Sequence, residues 1–303
     1  MTETEIEKDH LDVPGAALAY DVRPVRDSDL TPLLVMGSPM GAAGFGTLAG
    51  HFTDRTVITY DPRGVERSSK DDPSTESTPD EHADDLHRLI ETVGGPVDIM
   101  ASSGGAVNAL ALVSRYPDDV RTLVAHEPPL AGLVPDREQA LAACQQIRRL
   151  YDAEGLGAAM VRFILLVSHE GPVPDGFTDT PAPDPQTFGL PEEDDGSRAD
   201  VLLGQNLLTC THYEPDLDAL RASTARLVLA VGAGSGEQLA CRATRGLAER
   251  LGTGVTVFPG DHAGFLGGEY GQTGEPEAFA ATLRGVLDDQ DAGSSASAAT
   301  AAS

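Results

Sequence analysis

A serine hydroxyl cleaves a carbonyl compound when three things surround it. It needs a base, a group that steadies the base, and donors aimed at the developing oxyanion. The stretch Val97-Asp98-Ile99-Met100-Ala101-Ser102-Ser103-Gly104-Gly105-Ala106 offers the serine. A short apolar run ends in a serine among small residues, and a helix-competent stretch follows at once. That is the form of a strand-to-helix turn tight enough to strain its central residue and expose its side-chain oxygen. Side chains two positions before and after that residue must be small. Ser103 meets the rule with Ala101 and Gly105, whereas Ser102 has Met100, which is too large. Ser103 is the candidate nucleophile, and the N–H of Gly104 directly after it is a candidate oxyanion donor.

His262 is the candidate base. It lies in Gly260-Asp261-His262-Ala263-Gly264-Phe265, a loop after the last predicted strand, at the same end of the sheet as Ser103. The other histidines fit less well. His10 and His51 come early, and His82 and His87 share a predicted helix. His169 and His212 lie in a middle segment, and His126 ends a strand near the site. Asp61 and Arg63 read as a turn lock after a strand rather than as reacting groups.

These groups must be held by alternating strands and helices. Ala17–Val22 alternates as a strand, and Leu33–Met36 and Thr56–Tyr60 are short apolar runs of the kind buried on both faces. The segment Glu81–Val93 carries Leu86, Leu89, Ile90 and Val93 at helical spacing and stops at Gly94-Gly95-Pro96. The serine strand, a helix to about Tyr116 and the strand Thr122–His126 follow. This rhythm predicts an α/β fold with a mostly parallel sheet flanked by helices. It breaks at Glu127. Helices are expected over Arg137–Tyr151, Gly157–Val167, Asp200–Cys210 and Asp216–Arg221. A Pro- and Asp-rich loop from Gly171 to Ser197 has the length of a lid, a binding loop or a disordered stretch. The rhythm resumes with Arg226–Val231, Gln238–Leu251, Val255–Phe258 and a helix from about Glu275 to Leu287. The expected organisation is a core of residues 1–128 and 223–288, a helical cap over 129–222, and a disordered tail over 289–303.

The chain has 303 residues, is 40% hydrophobic and carries a net charge of −27, with Lys8 and Lys70 its only lysines. So acidic a chain argues against nucleic acid and anionic membranes as partners. Cys144, Cys210 and Cys241 are widely spaced, with no metal-ligand pattern. The acidic N-terminus lacks the apolar core of a signal peptide, and no run is long enough to span a membrane. A cytoplasmic protein with free thiols and a small-molecule substrate is expected.

The loop Met36-Gly37-Ser38-Pro39-Met40-Gly41, the run Asp61-Pro62-Arg63-Gly64, the Ser103 turn, the inserted segment and the late His262 stand in one order. In that order the chain resembles the α/β-hydrolase superfamily, specifically its small serine hydrolases with a helical cap. Two positions depart from the usual pattern: Met36-Gly37 replaces His-Gly, and Glu66 stands where glycine is common. The resemblance implies a second oxyanion donor from the loop after Gly37. Ser38 is the choice, because Pro39 has no N–H, and Met40 is the fallback. It also implies an acid after the strand Arg226–Val231, yet Gly234 and Ser235 occupy the expected place. Glu127, after the preceding strand, and Glu237, slightly late in the usual loop, are the alternatives. A third possibility is no acid at all. The resemblance thus implies a cofactor-independent, metal-free serine hydrolase acting on a small ester or related acyl compound through an acyl-enzyme. The rival functions are a weakly catalytic, ligand-binding pseudo-hydrolase and a non-hydrolytic acyltransferase or cyclase. Epoxide hydrolysis and dehalogenation use an aspartate at the turn in this superfamily, and Ser103 speaks against both.

Overall fold

The computed structural model describes residues 6–301, with side chains described through Asp288. The stretch expected to be a disordered tail, 289–303, falls outside the residues described with their side chains. Nine strands among the described residues form one sheet. They are β1 (Glu7–Val13), β2 (Ala16–Arg23), β3 (Leu33–Met36), β4 (Val57–Tyr60), β5 (Ser69–Lys70), β6 (Val97–Ser102), β7 (Val120–His126), β8 (Arg226–Gly232) and β9 (Val255–Phe258). Their order is β1-β2-β4-β3-β6-β7-β8-β9, with β5 paired to β2. From β4 to β9 every pairing is parallel, while β1, β2 and β5 pair antiparallel. The mostly parallel α/β sheet expected from the sequence is present.

The central strands are buried on both faces because helices cover both. Every residue of β3, β4 and β6 is buried. One face carries α2 (Pro79–Val93) and α3 (Gly104–Arg115). The other carries α1 (Gly46–Gly50) and α9 (Pro276–Ala301) around Phe45, Phe258, Phe265 and Phe279. Helix α2 starts where its chemistry dictates. Thr78 Oγ1 accepts from the Glu81 N–H, Glu81 answers by accepting from the Thr78 N–H, and Pro79 opens the first turn. At the sheet margin β1 exposes Glu7, Lys8, Asp9 and His10, charges that discourage further strand pairing.

Between β7 and β8 lie α4 (Arg137–Glu154), α5 (Leu156–Val167), a π-helical turn (Leu202–Asn206), α6 (Leu207–Thr211) and α7 (Leu217–Ala222). One buried apolar cluster runs from Ile99 and Leu110 in the core to Ile147, Tyr151 and Leu203 in this segment. The remaining helix, α8 (Leu239–Leu251), follows β8. Two sequence expectations change here. The single helix expected over Asp200–Cys210 is a π-helical turn running into the short α6. The loop 171–197 packs on α4 and α5 through Asp175–Gln139, Thr178–Gln146 and Thr180–Arg162. None of its residues lines the cavity that contains Ser103; it packs on the inserted helices instead. No helix among the described residues is long and apolar enough to cross a membrane.

Beneath the serine strand, Asp98 on β6 is fully buried and accepts from Arg55 at 3.1 Å and from Arg121 Nε at 2.8 Å. Arg55 is itself fully buried, with Asp288 at 3.6 Å as its other acidic neighbour. Removing one member of a buried charge cluster leaves the others uncompensated. Asp98→Ala is expected to lower the unfolding free energy by about 3–5 kcal/mol, read from urea denaturation at neutral pH. A loss below about 1 kcal/mol would show that the cluster is solvated.

Candidate active site

Ser103 follows β6 directly and has φ 57° and ψ −128°. A non-glycine residue in this region is strained. The strain is held from both sides. The Ser103 N–H donates to the His126 carbonyl at 2.9 Å, and its carbonyl accepts from Ala106 at 2.9 Å as α3 begins. The serine side chain therefore stands at the strand end, facing a cavity of about 290 Å³.

The small residues around Ser103 have a more specific cause than the sequence rule supplied. A Cβ on Gly105 would lie 2.6 Å from Gly37 Cα. One on Gly104 would lie 2.6 Å from the Ser38 carbonyl oxygen and 3.2 Å from Cys210 Sγ. The collision avoided is with the loop after β3. That loop lies in backbone contact with the turn, so Gly104 and Ser38 are neighbours and both line the cavity. Gly104 opens α3, where N–H groups have no intrahelical acceptor. Met40, the fallback donor, does not line this cavity; its side chain packs against Gly44. Asp61 fixes the same loop by accepting from the Ala42 N–H at 2.7 Å and from Arg67 Nε at 2.6 Å. Arg63 is clamped by both oxygens of Asp85, at 2.7 and 2.8 Å. Both are turn locks, as expected.

The acid position is where the structure adds most. Glu127 follows β7 as Ser103 follows β6, and it too is left-handed, with φ 52°. Its N–H donates to the Ala230 carbonyl at 3.0 Å. Its Oε2 lies 2.6 Å from His262 Nδ1, and its Oε1 accepts from the Gly232 N–H at 2.9 Å. The Glu127 side chain is 1% exposed and that of His262 is 41% exposed. Burial works against the carboxylate charge. The His262 hydrogen bond and charge outweigh it, aided by His126 and by Ser235 Oγ alongside, and hold the Glu127 carboxyl down at about 2. Glu237 is not brought to His262. Its carboxylate is exposed and pairs with Arg245 at 2.5 Å, which removes it as the alternative acid. The last residue of β8, Gly232, contributes a backbone donor, and the loop after it brings no carboxylate to His262.

His262 lines the same cavity as Ser103, with no hydrogen bond between them in this structure. Beneath it His126 is fully buried, its ring centroid 6.1 Å from that of His262 and edge-on to Phe265 and Phe279. Burial pushes His126 down to about 4, so at neutral pH it is an uncharged wall. The sequence placed His126 near the site, but nothing in the sequence indicated the aromatic cage, which draws on three distant segments.

The cavity wall is mostly apolar and comes from both core and insertion. Phe163 and Leu166 of α5 line it. Asn206, from the π-helical turn, lines it and was not anticipated. Cys144 and Cys210 are free, buried thiols in the same wall, and Cys241 is also free and buried. No group of His, Cys, Asp or Glu among the described residues could hold a metal ion.

Comparison with known proteins agrees with this fold. The family model for the alpha/beta hydrolase fold matches residues 34–171. An uncharacterized hydrolase of Bacillus subtilis, YraK, is 31% identical over 274 residues, 84% of this chain and 89% of that protein. A 2-(acetamidomethylene)succinate hydrolase of Mesorhizobium japonicum is 35% identical over 105 residues, covering 33% of this chain and 37% of its own. Among solved structures, a thermophilic esterase from Thermogutta terrifontis superposes with a TM-score of 0.64 at 20% identity, covering 93% of this chain and 98% of its own. The enol-lactonase of Burkholderia xenovorans LB400 gives 0.62 at 15% identity, covering 92% and 99%.

Two outcomes follow from the local geometry. Gly105→Ala forces its new methyl into Gly37 backbone, which cannot swing aside as a side chain can. It is expected to cost about 1–3 kcal/mol of stability by overpacking, measured by urea unfolding. A variant as stable as the parent would mean the loop yields freely. The second concerns pH. The Glu127 carboxyl is lower in the folded protein, at about 2, than its ordinary value of 4.5. Its stabilisation is therefore present above the unfolded value and is lost as pH falls toward about 2. Glu127→Gln is expected to flatten the fall in unfolding free energy between pH 4.5 and 2. Parallel curves for variant and parent would contradict the assignment.

Proposed function

The chain belongs to the α/β-hydrolase superfamily, and on that premise we propose that it is a serine hydrolase of small, uncharged esters. The observation that carries this reading is the 2.6 Å contact between Glu127 Oε2 and His262 Nδ1, on the wall of the cavity that holds the strained Ser103. An ionised Glu127 accepts from Nδ1–H. That fixes the tautomer in which His262 Nε2 is the free base.

Ser103 Oγ attacks the substrate carbonyl carbon while Nε2 takes its proton. The gap between Oγ and the ring closes with substrate bound, as catalytic hydrogen bonds commonly do. The tetrahedral oxyanion receives the N–H groups of Gly104 and Ser38, each such donor worth about 2.7–4 kcal/mol in the transition state. Collapse breaks the bond to the leaving alcohol, which takes the proton from Nε2. Water then enters, gives a proton to Nε2 and attacks the acyl-enzyme. A second collapse releases the acid and returns the proton to Ser103. None of these steps calls for a cofactor.

The substrate class follows from the wall. One relative's name describes it as hydrolysing a succinate derivative, a dicarboxylate. No lysine or arginine lines the cavity here, so a carboxylate would be desolvated without a counter-charge. That favours uncharged acyl groups. The pseudo-hydrolase alternative rested on a missing acid, and the Glu127 pairing argues against it.

Fluorophosphonate labelling and p-nitrophenyl ester hydrolysis test the reading. Ser103→Ala is expected to abolish labelling and Ser103-dependent turnover. Glu127→Gln is expected to lower kcat by about 10³–10⁴-fold, and Glu237→Gln by less than about twofold. Activity unchanged in Ser103→Ala, or equal in both glutamate variants, would overturn the mechanism.

A further inference from the structure

We propose that Leu202 is the stop that sets how long an acyl chain the site accepts. The proposal rests on the hydrolase reading above and assigns the limit on substrate size to one side chain.

Leu202 opens the π-helical turn and is half-buried there, lining two spaces at once. One is the catalytic cavity with Ser103 and His262. The other is a groove of about 450 Å³ whose lining includes Pro39, Met40, Val65, Val201 and Tyr270. Among the described residues Leu202 alone lines both. Ser38 lines the first and Pro39, the next residue, lines the second, so the two spaces adjoin along the loop after β3. Their placement identifies the part of the substrate concerned. Pro39 and Met40 follow β3 and Val65 follows β4, whereas His262 follows β9 and is met by Glu127 at the end of β7. In the sheet, β3 and β4 lie on one side of the Ser103 strand and β7, β8 and β9 on the other. The leaving group must reach His262 for its proton, so it takes the second side. The acyl chain is left to run toward Leu202.

The backbone that carries this side chain is tied at three successive residues. The Leu202 carbonyl accepts from the Leu207 N–H, the Leu203 N–H donates to Asp200 Oδ1 at 2.7 Å, and the Gly204 carbonyl accepts from Arg148 at 2.9 Å. The groove behind Leu202 has a fixed outer wall. The Tyr270 hydroxyl donates to Glu66 Oε1 at 2.9 Å, and both residues hold a positive φ, 54° and 45° respectively. Side chains other than glycine keep such a conformation only where surrounding structure enforces it. A Cβ on Gly41 would lie 2.9 Å from Glu66 Cδ, and one on Gly44 would lie 3.1 Å from Tyr270 Cε2, so the pair closes over the loop after β3. No lysine or arginine lines the groove, while Glu66 and Asp200 do. A hydrocarbon chain, and not one ending in a carboxylate, would therefore fill it once Leu202 is cut back.

The test is kcat/KM for p-nitrophenyl acetate, butyrate, hexanoate, octanoate and decanoate. The parent is expected to hydrolyse the decanoate at least about tenfold less well than the butyrate. Leu202→Ala is expected to raise the decanoate-to-butyrate ratio by about tenfold or more. Leu202→Val, a smaller truncation, should raise it less and serves if alanine does not fold. Adding Val201→Asp to Leu202→Ala places a charge in the groove and outside the catalytic cavity, and should return the ratio to within about threefold of the parent. The same ratio is read without turnover from calorimetric binding of the esters to Ser103→Ala, with and without Leu202→Ala. Ser103-dependent turnover with a parent indifferent to chain length, with a ratio unmoved by truncation of Leu202, or with a gain that survives Val201→Asp, overturns the inference and leaves the hydrolase reading standing. No Ser103-dependent turnover of any ester, with a length limit in binding that Leu202→Ala relieves, does the reverse.

Discussion

The contact between Glu127 and His262 is the constraint on which the site depends. A carboxylate 1% exposed persists as an ion only if partners replace its water. Its two oxygens are therefore divided between two segments: Gly232, the last residue of β8, supplies an N–H to one, and His262 after β9 takes the other. Three strand ends must arrive in register for this to happen. Parallel pairing of β7, β8 and β9 delivers them to one edge of the sheet. The insertion starts at the same point. Glu127 is followed by Pro128 and Pro129, and Pro129 already lines the cavity. Acid, cavity wall and the departure of the chain into its helical segment are thus a single junction.

Ser103 and Glu127 solve the same problem on adjacent strands. Each is the first residue beyond a buried parallel strand, and each has a positive φ. In each the N–H still bonds to the next strand, to His126 and Ala230 respectively. The backbone remains tied to the sheet while the side chain is turned out of the pleat. Such conformations cost on the order of 1–3 kcal/mol each and persist only where surrounding structure enforces them. Here the parallel sheet does so through those hydrogen bonds. The turn at Ser103 is further closed by glycines, since any Cβ at Gly104 or Gly105 would meet the Gly37–Ser38 backbone.

The sheet, the Ser103 turn and the late histidine loop were legible in the sequence because each is a local pattern. Buried parallel strands read as continuous apolar runs, and tight turns read as small residues. The acid stayed ambiguous between Glu127 and Glu237 because its identity depends on a contact between residues 135 positions apart. Only tertiary register could show Glu237 turned toward Arg245. The π-helical turn was invisible for a related reason. Asp200–Cys210 has ordinary helical composition, and the turn is anchored from outside it, by Arg148 on the Gly204 carbonyl and by Lys70 and Ser77 on Gln205. The packing of the loop 171–197 on α4 and α5 was not legible either, because it rests on side-chain contacts across the insertion.

The loop after β8 bears on how uncharacterised genomes are read. A search that requires a carboxylate at position 234 or 235 would pass this chain over, since it finds Gly234 and Ser235 there. The carboxylate that meets His262 is instead Glu127, from the end of the neighbouring strand, held by the Gly232 N–H. What sets Glu127 against His262 is its place in space at the end of β7, not membership of the loop after β8. Sequences with a bare loop at this position merit inspection one strand upstream, for an acidic residue followed by proline, before they are counted as catalytically dead.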